Sequence, residues 1–150
     1  MTLKNALTHF NLLVSETNKK AEIRVFEDFI QIISGLKQKD LTEAEIKSIE
    51  TELDALDLNR ITTNKKQYFR KALKQFKKYL KDTFSLTVKG YYANVGIALG
   101  SSFGVLFGMV FLSGIGRSLG LSLGISMGTL IGLIVGSNWD SQAKASGKMV

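Results

Sequence analysis

Gly120-Leu-Ser-Leu-Gly124-Ile-Ser-Met-Gly128-Thr-Leu-Ile-Gly132-Leu-Ile-Val-Gly136 places a glycine at every fourth position and carries no formal charge. The same spacing runs upstream through Gly96, Gly100, Gly104 and Gly108, skips Leu112, and resumes at Gly116. Ten glycines thus share one four-residue register. A single GxxxG is a weak signal, but ten in series predict a small ridge along a helix. Helices in a bilayer gain nothing from leaving water, so they associate by close packing, and such a ridge lets two backbones approach. Residues 118–128 also alternate small and large, which is a strand pattern. A membrane barrel needs many such strands with a polar lumen face. Here there is one stretch, and its small positions run on into the period of four, so helix is the reading.

Working outward, charge disappears around this segment. Residues 1–89 hold 17 Lys or Arg and 12 Asp or Glu, whereas between Gly90 and Trp139 the only formal charge is Arg117. Twelve of the 14 glycines lie between Gly90 and Gly136. The near-neutral average hydropathy therefore joins a charged half to an apolar half. A hydrocarbon core of about 30 Å needs roughly 20 apolar residues at 1.5 Å rise each. Tyr91–Leu112 and Ser118–Ser137 both meet that length, and Ser113-Gly-Ile-Gly-Arg117 is a short turn between them. Two spans joined so tightly run antiparallel, which predicts a transmembrane helical hairpin.

The flanks give the hairpin a sidedness. Lys65, Lys66, Arg70, Lys71, Lys74, Lys77, Lys78, Lys81 and Lys89 precede the first span, and Lys144 and Lys148 follow the second. Positive residues resist translocation, so both termini are expected in the cytoplasm. Tyr91 and Tyr92 open the first span and Trp139 closes the second, which puts three amphipathic rings at one interface. Met1 to Val14 has neither the apolar core nor the cleavage site of a signal peptide. The segment before Tyr91 is therefore expected to stay on the side where it is made.

A second small row, Ser118, Ser122 and Ser126, is offset from the glycines by two residues, about 200° around a helix. A hairpin partner occupies only one of two opposite faces. The other predicts a further neighbour, a copy of this chain or a different subunit.

The charged half reads as three to four helices. Thr42-Glu-Ala-Glu45 fits a capping box, and Ile46, Ile49, Leu53 and Leu56 follow at helical spacing. Ile23, Phe26, Phe29, Ile30 and Ile33 form another stripe, and residues 1–16 read as helix or strand, with helix preferred. In the segment from Thr63 to Phe84, Phe69, Leu73, Phe76 and Leu80 make an apolar stripe among eight basic residues. Two readings compete: a basic amphipathic helix on the anionic cytoplasmic leaflet, at about 1 kcal/mol per basic residue, or pairing with the acidic 40–57 helix. Nucleic acid is not expected as a partner of a basic run so close to a span.

Catalytic chemistry has little to stand on. The chain has no cysteine, which removes thiolates and Cys-ligated metals, and His9 is the sole histidine. The glycines follow no strand and lack the lysine of a phosphate-binding loop. No enzyme activity, cofactor or metal is expected.

Gly120, Gly124, Gly128, Gly132 and Gly136, followed by Asp140, Ala143, Lys144 and Gly147, resemble the small two-span glycine-zipper membrane proteins of bacteria. The resemblance covers Gly120 to Gly147 and implies a two-span protein of the bacterial inner membrane; that family carries no known activity to transfer. The expectation is an all-α protein. Residues 1–62 form a cytoplasmic helical region, 63–89 a basic juxtamembrane helix, 90–139 the hairpin and 140–150 a short tail. Gly96 to Gly136 and the three serines would pack helices in a homo-oligomer or membrane complex serving as a scaffold. The alternative is a pore or membrane-perturbing protein.

Overall fold

The structure is a computed structural model, and it describes residues 1–58, 64–111, 114 and 116–150. These are all-helical apart from one isolated bridge between Thr87 and Met149. The helices are α1 (Leu3–Glu16), α2 (Lys20–Lys37), α3 (Glu43–Ala55), α4 (Lys65–Phe84), α5 (Tyr91–Phe111) and α6 (Arg117–Ala145). The chain divides into two compact units, residues 1–86 with Val150, and residues 87–149.

The first unit is built on an aromatic core. Phe10 of α1 stacks on Phe29 of α2 with centroids 4.3 Å apart, and Phe26 meets Phe69 of α4 edge to face at 5.0 Å. Phe76 of α4 lies 6.1 Å from Phe29. Offset and T-shaped pairs suit the ring quadrupoles and add to the burial of large apolar surface. Local signals set the helix starts: Thr2 accepts from the Asn5 amide, and Thr42 and Glu45 complete the capping box. α3 is held to the start of α1, since Glu50 accepts from the Leu3 amide at 2.9 Å and Asp54 pairs with the N-terminal ammonium.

Residues 3–16 are helical, as preferred from the sequence. The apolar face of α2 is broader than predicted: Val25, Ile32 and Leu36 are buried beside Phe26, Phe29 and Ile33, while Ile23 and Ile30 are half-buried. The predicted stripe of α4 is buried throughout, and α4 packs chiefly on α2 and only marginally on the acidic α3. The reason is size. α2 offers phenylalanines at facing positions, whereas α3 contributes only Ile49 and Leu53 to the core.

The second unit is a helical hairpin. α5 and α6 are each long and apolar enough to cross a membrane, and only 11% and 17% of their most apolar windows are buried. Most of their apolar surface is therefore left outside the hairpin contact. α6 continues well beyond the predicted end of the second span at Ser137, because Asn138 to Ala145 contains nothing that breaks a helix. Leu112, Ser113 and Ile115 of the predicted end and turn lie outside the described residues, as does Thr63 at the predicted start of the basic segment.

Candidate functional site at the helical hairpin

The contact between α5 and α6 is made by glycine facing glycine. A β-carbon built on Gly100 would fall 2.9 Å from the carbonyl carbon of Gly128 and closer still to its oxygen. Gly96 stands in the same relation to Gly132, and Gly104 to Gly124. At Gly108 the added carbon would lie 2.6 Å from the Gly120 oxygen. Each step of four along one helix is matched by a step of four back along the other. Real β-carbons do not approach backbone so closely, so no other residue fits these positions unless the helices separate. Gly136 ends the row against Tyr92 and Ala93, where the added carbon would be 2.7 Å from the Ala93 Cα.

The next position in the register is Asp140. Its carboxylate reaches across to the start of α5 and accepts from the amides of Tyr92 at 3.1 Å and Ala93 at 3.2 Å. The residue preceding α5 is Gly90, at φ +79°, which has no side chain to cap with. The first amides of a helix lack internal partners and lie at the positive end of its dipole. A carboxylate from the neighbouring helix satisfies both conditions. Nearby, the Thr87 amide donates to the Lys148 carbonyl at 2.8 Å, and Tyr92 and Trp139 pack edge to face at 6.1 Å.

Close approach of the backbones leaves the flanking side chains standing as walls. Val95, Leu99 and Phe103 of α5 and Met127, Ile131 and Trp139 of α6 border an apolar groove of about 440 Å³ whose floor is glycine.

Of the predicted packing residues, Gly96, Gly100, Gly104, Gly108, Gly120, Gly124, Gly128, Gly132 and Gly136 are brought together at this contact. Gly116 is not: it sits at the start of α6 with φ +112° and nothing within 4 Å of an added β-carbon, so its role is the turn. Ser118, Ser122 and Ser126 are exposed, away from the contact. Ser122 donates to the Ser118 carbonyl at 2.6 Å and Ser126 to the Ser122 carbonyl at 2.8 Å. Tyr91, Tyr92 and Trp139 gather at one end of the hairpin.

In the first unit, Lys65, Lys66, Arg70, Lys71, Lys74, Lys78 and Lys81 are exposed, and Lys77 pairs with Asp28 at 3.1 Å. Lys89, at the start of the second unit, is also exposed. His9 lies 3.3 Å from the Leu58 carbonyl through Nε2. No cluster of three metal-ligating side chains occurs among the described residues. The cap made by Asp140 is absent from the sequence-based expectations. Its signal was available, since residue 140 continues the count of four from Gly136.

The geometry defines a class, a helical hairpin of two membrane-length helices with a glycine-lined contact. Comparison of the chain with protein-family models, curated proteins and solved structures finds no match.

Proposed function

We propose that this chain is a non-enzymatic integral protein of the bacterial inner membrane, with both termini in the cytoplasm. In this reading its glycine-zippered hairpin assembles with further copies or with partner subunits and acts as a membrane scaffold. The observation that carries it is the division of surfaces on α5 and α6. The glycines are consumed inside the hairpin, while the outer faces are large, apolar and bare: Phe103, Val110, Phe111 and Ile134 are each about two-thirds exposed. Contiguous apolar surface of this extent belongs against lipid or protein rather than water. Between their ends both helices make their own backbone hydrogen bonds, as a bilayer requires.

The serine row of α6 supports assembly over a conducting path. The hydroxyls of Ser101, Ser102, Ser122, Ser126 and Thr129 all donate to carbonyls of their own helix. They therefore present small, polar-neutral surface suited to helix packing. Native mass measurement in detergent tests this. Ser122→Leu combined with Ser126→Leu is expected to abolish higher oligomers while leaving the thermal melt of the hairpin unchanged. An unaltered oligomer in the double variant would refute assembly through this face.

A further inference from the structure

An amphipathic helix ordinarily meets a membrane by laying its apolar stripe into the leaflet. That route is closed in the folded unit, because Phe69, Phe76 and Leu80 are at most 2% exposed. What remains outside is charge. Lys66, Arg70, Lys74 and Lys78 stand four residues apart in one column, with Lys71 beside them, and all are exposed. Like charges at this spacing repel along a helix. None of the five has an acidic side chain within ion-pairing distance among the described residues. Several acids of the same unit are engaged elsewhere: Asp28 pairs with Lys77, and Glu50 and Asp54 hold the start of α1. Asp82 ends the column one turn beyond Lys78, so the fold carries a net cationic column, unpaired from Lys66 to Lys78, on a face with nothing apolar to insert.

We infer that this face of α4 docks on anionic lipid headgroups by charge alone, as part of the folded unit and without inserting side chains. The inference rests on the reading that α5 and α6 lie in a bilayer. Six residues, Ser85 to Gly90, separate α4 from α5, a tether of roughly 20 Å when fully extended. A tethered site meets its partner at an effective concentration on the order of millimolar, so a weak, purely Coulombic surface is enough. A nucleic acid would have no such advantage, which favours lipid as the occupant. Because no insertion contributes, docking is screened by salt.

The test uses the full chain, which has no native cysteine. A fluorophore on Gln75→Cys, an exposed position of α4, reports contact-range electron transfer to a headgroup-nitroxide lipid in reconstituted vesicles. Transfer is expected to be strong in vesicles containing phosphatidylglycerol at low salt, and weak at high salt or in phosphatidylcholine alone. The variant K66Q R70Q K74Q K78Q should lose it, its docking constant falling about six-hundredfold at about fivefold per charge. The variant K66R K74R K78R should keep it, which separates charge from misfolding. Transfer that is indifferent to lipid charge, or to the four substitutions, would overturn the inference. So would single-stranded RNA that strips α4 from phosphatidylglycerol vesicles at stoichiometric amounts. Failure of the chain to co-float with any vesicle would instead overturn the membrane reading beneath it.

Discussion

At the scale of single residues, two opposing effects compete at the glycines of the hairpin. Alanine is favoured over glycine in a helix interior by about 1 kcal/mol. Against this, a β-carbon at Gly128 would fall 2.8 Å from the Gly104 Cα and nearer still to the Gly100 oxygen. Those atoms are backbone and cannot rotate away, so overpacking costs about 1–3 kcal/mol. Forcing the helices apart at one point also loosens the packing of the glycines on either side. Gly128→Ala is therefore expected to lower hairpin stability by about 1 kcal/mol net in a detergent melt followed by circular dichroism. Gly114→Ala, with nothing within 4 Å, should leave the melt unchanged. Asp140→Ala strands the Tyr92 and Ala93 amides and is expected to cost about 0.5–2 kcal/mol, the range for losing a helix cap. Amide exchange at Tyr92 and Ala93 should accelerate, while exchange in the middle of α5 should not.

At the scale of elements, α3 shows how local chemistry and pH are linked. The Glu45 carboxylate accepts from the Thr42 amide and from its hydroxyl, both at 2.8 Å. These bonds, the amide first, hold its carboxyl below the ordinary glutamate range. A group whose folded pKa is depressed contributes stability above its unfolded pKa and loses it as pH falls through the folded value. The start of α3 is therefore expected to loosen in acid, on descending through and below the glutamate range. Amide exchange at Glu43 to Ile46 against pH would show this. Glu45→Gln should flatten the profile, and a profile unchanged by that substitution would exclude the capping box as its source. The elements themselves were largely legible: α3, α5 and the stripes of α2 and α4 follow from spacing and capping. The far end of α6 was not. Its last residues are polar, so hydropathy drops there, while a helix continues until something ends it.

At the scale of the whole molecule, the proposed topology places residue 117 and the C-terminus on opposite sides of the membrane. Arg117→Cys is expected to react with a membrane-impermeant thiol reagent from outside intact cells. Ser146→Cys should react only after permeabilisation. Equal labelling of both in intact cells would rule out the hairpin orientation.

The sequence by itself determined the division of the chain into a charged and an apolar half. It also determined the helical period of each segment and the pairing of two long apolar helices by a short turn. These are local properties: charge, apolarity and a count of 3.6 or 4 are carried by neighbouring residues. Which surfaces meet was decided only by the tertiary structure. The stripe of α4 could face a lipid leaflet, α3 or α2, and it faces α2, whose buried Phe26 and Phe29 are larger than the Ile49 and Leu53 that α3 offers. The glycine ridge could serve an outside partner or the hairpin, and the hairpin takes it, glycine facing glycine from Gly96–Gly132 to Gly108–Gly120, because the chain connection holds α6 beside α5. Asp140 became a cap for the same reason, since only that register sets its carboxylate over the uncapped start of α5.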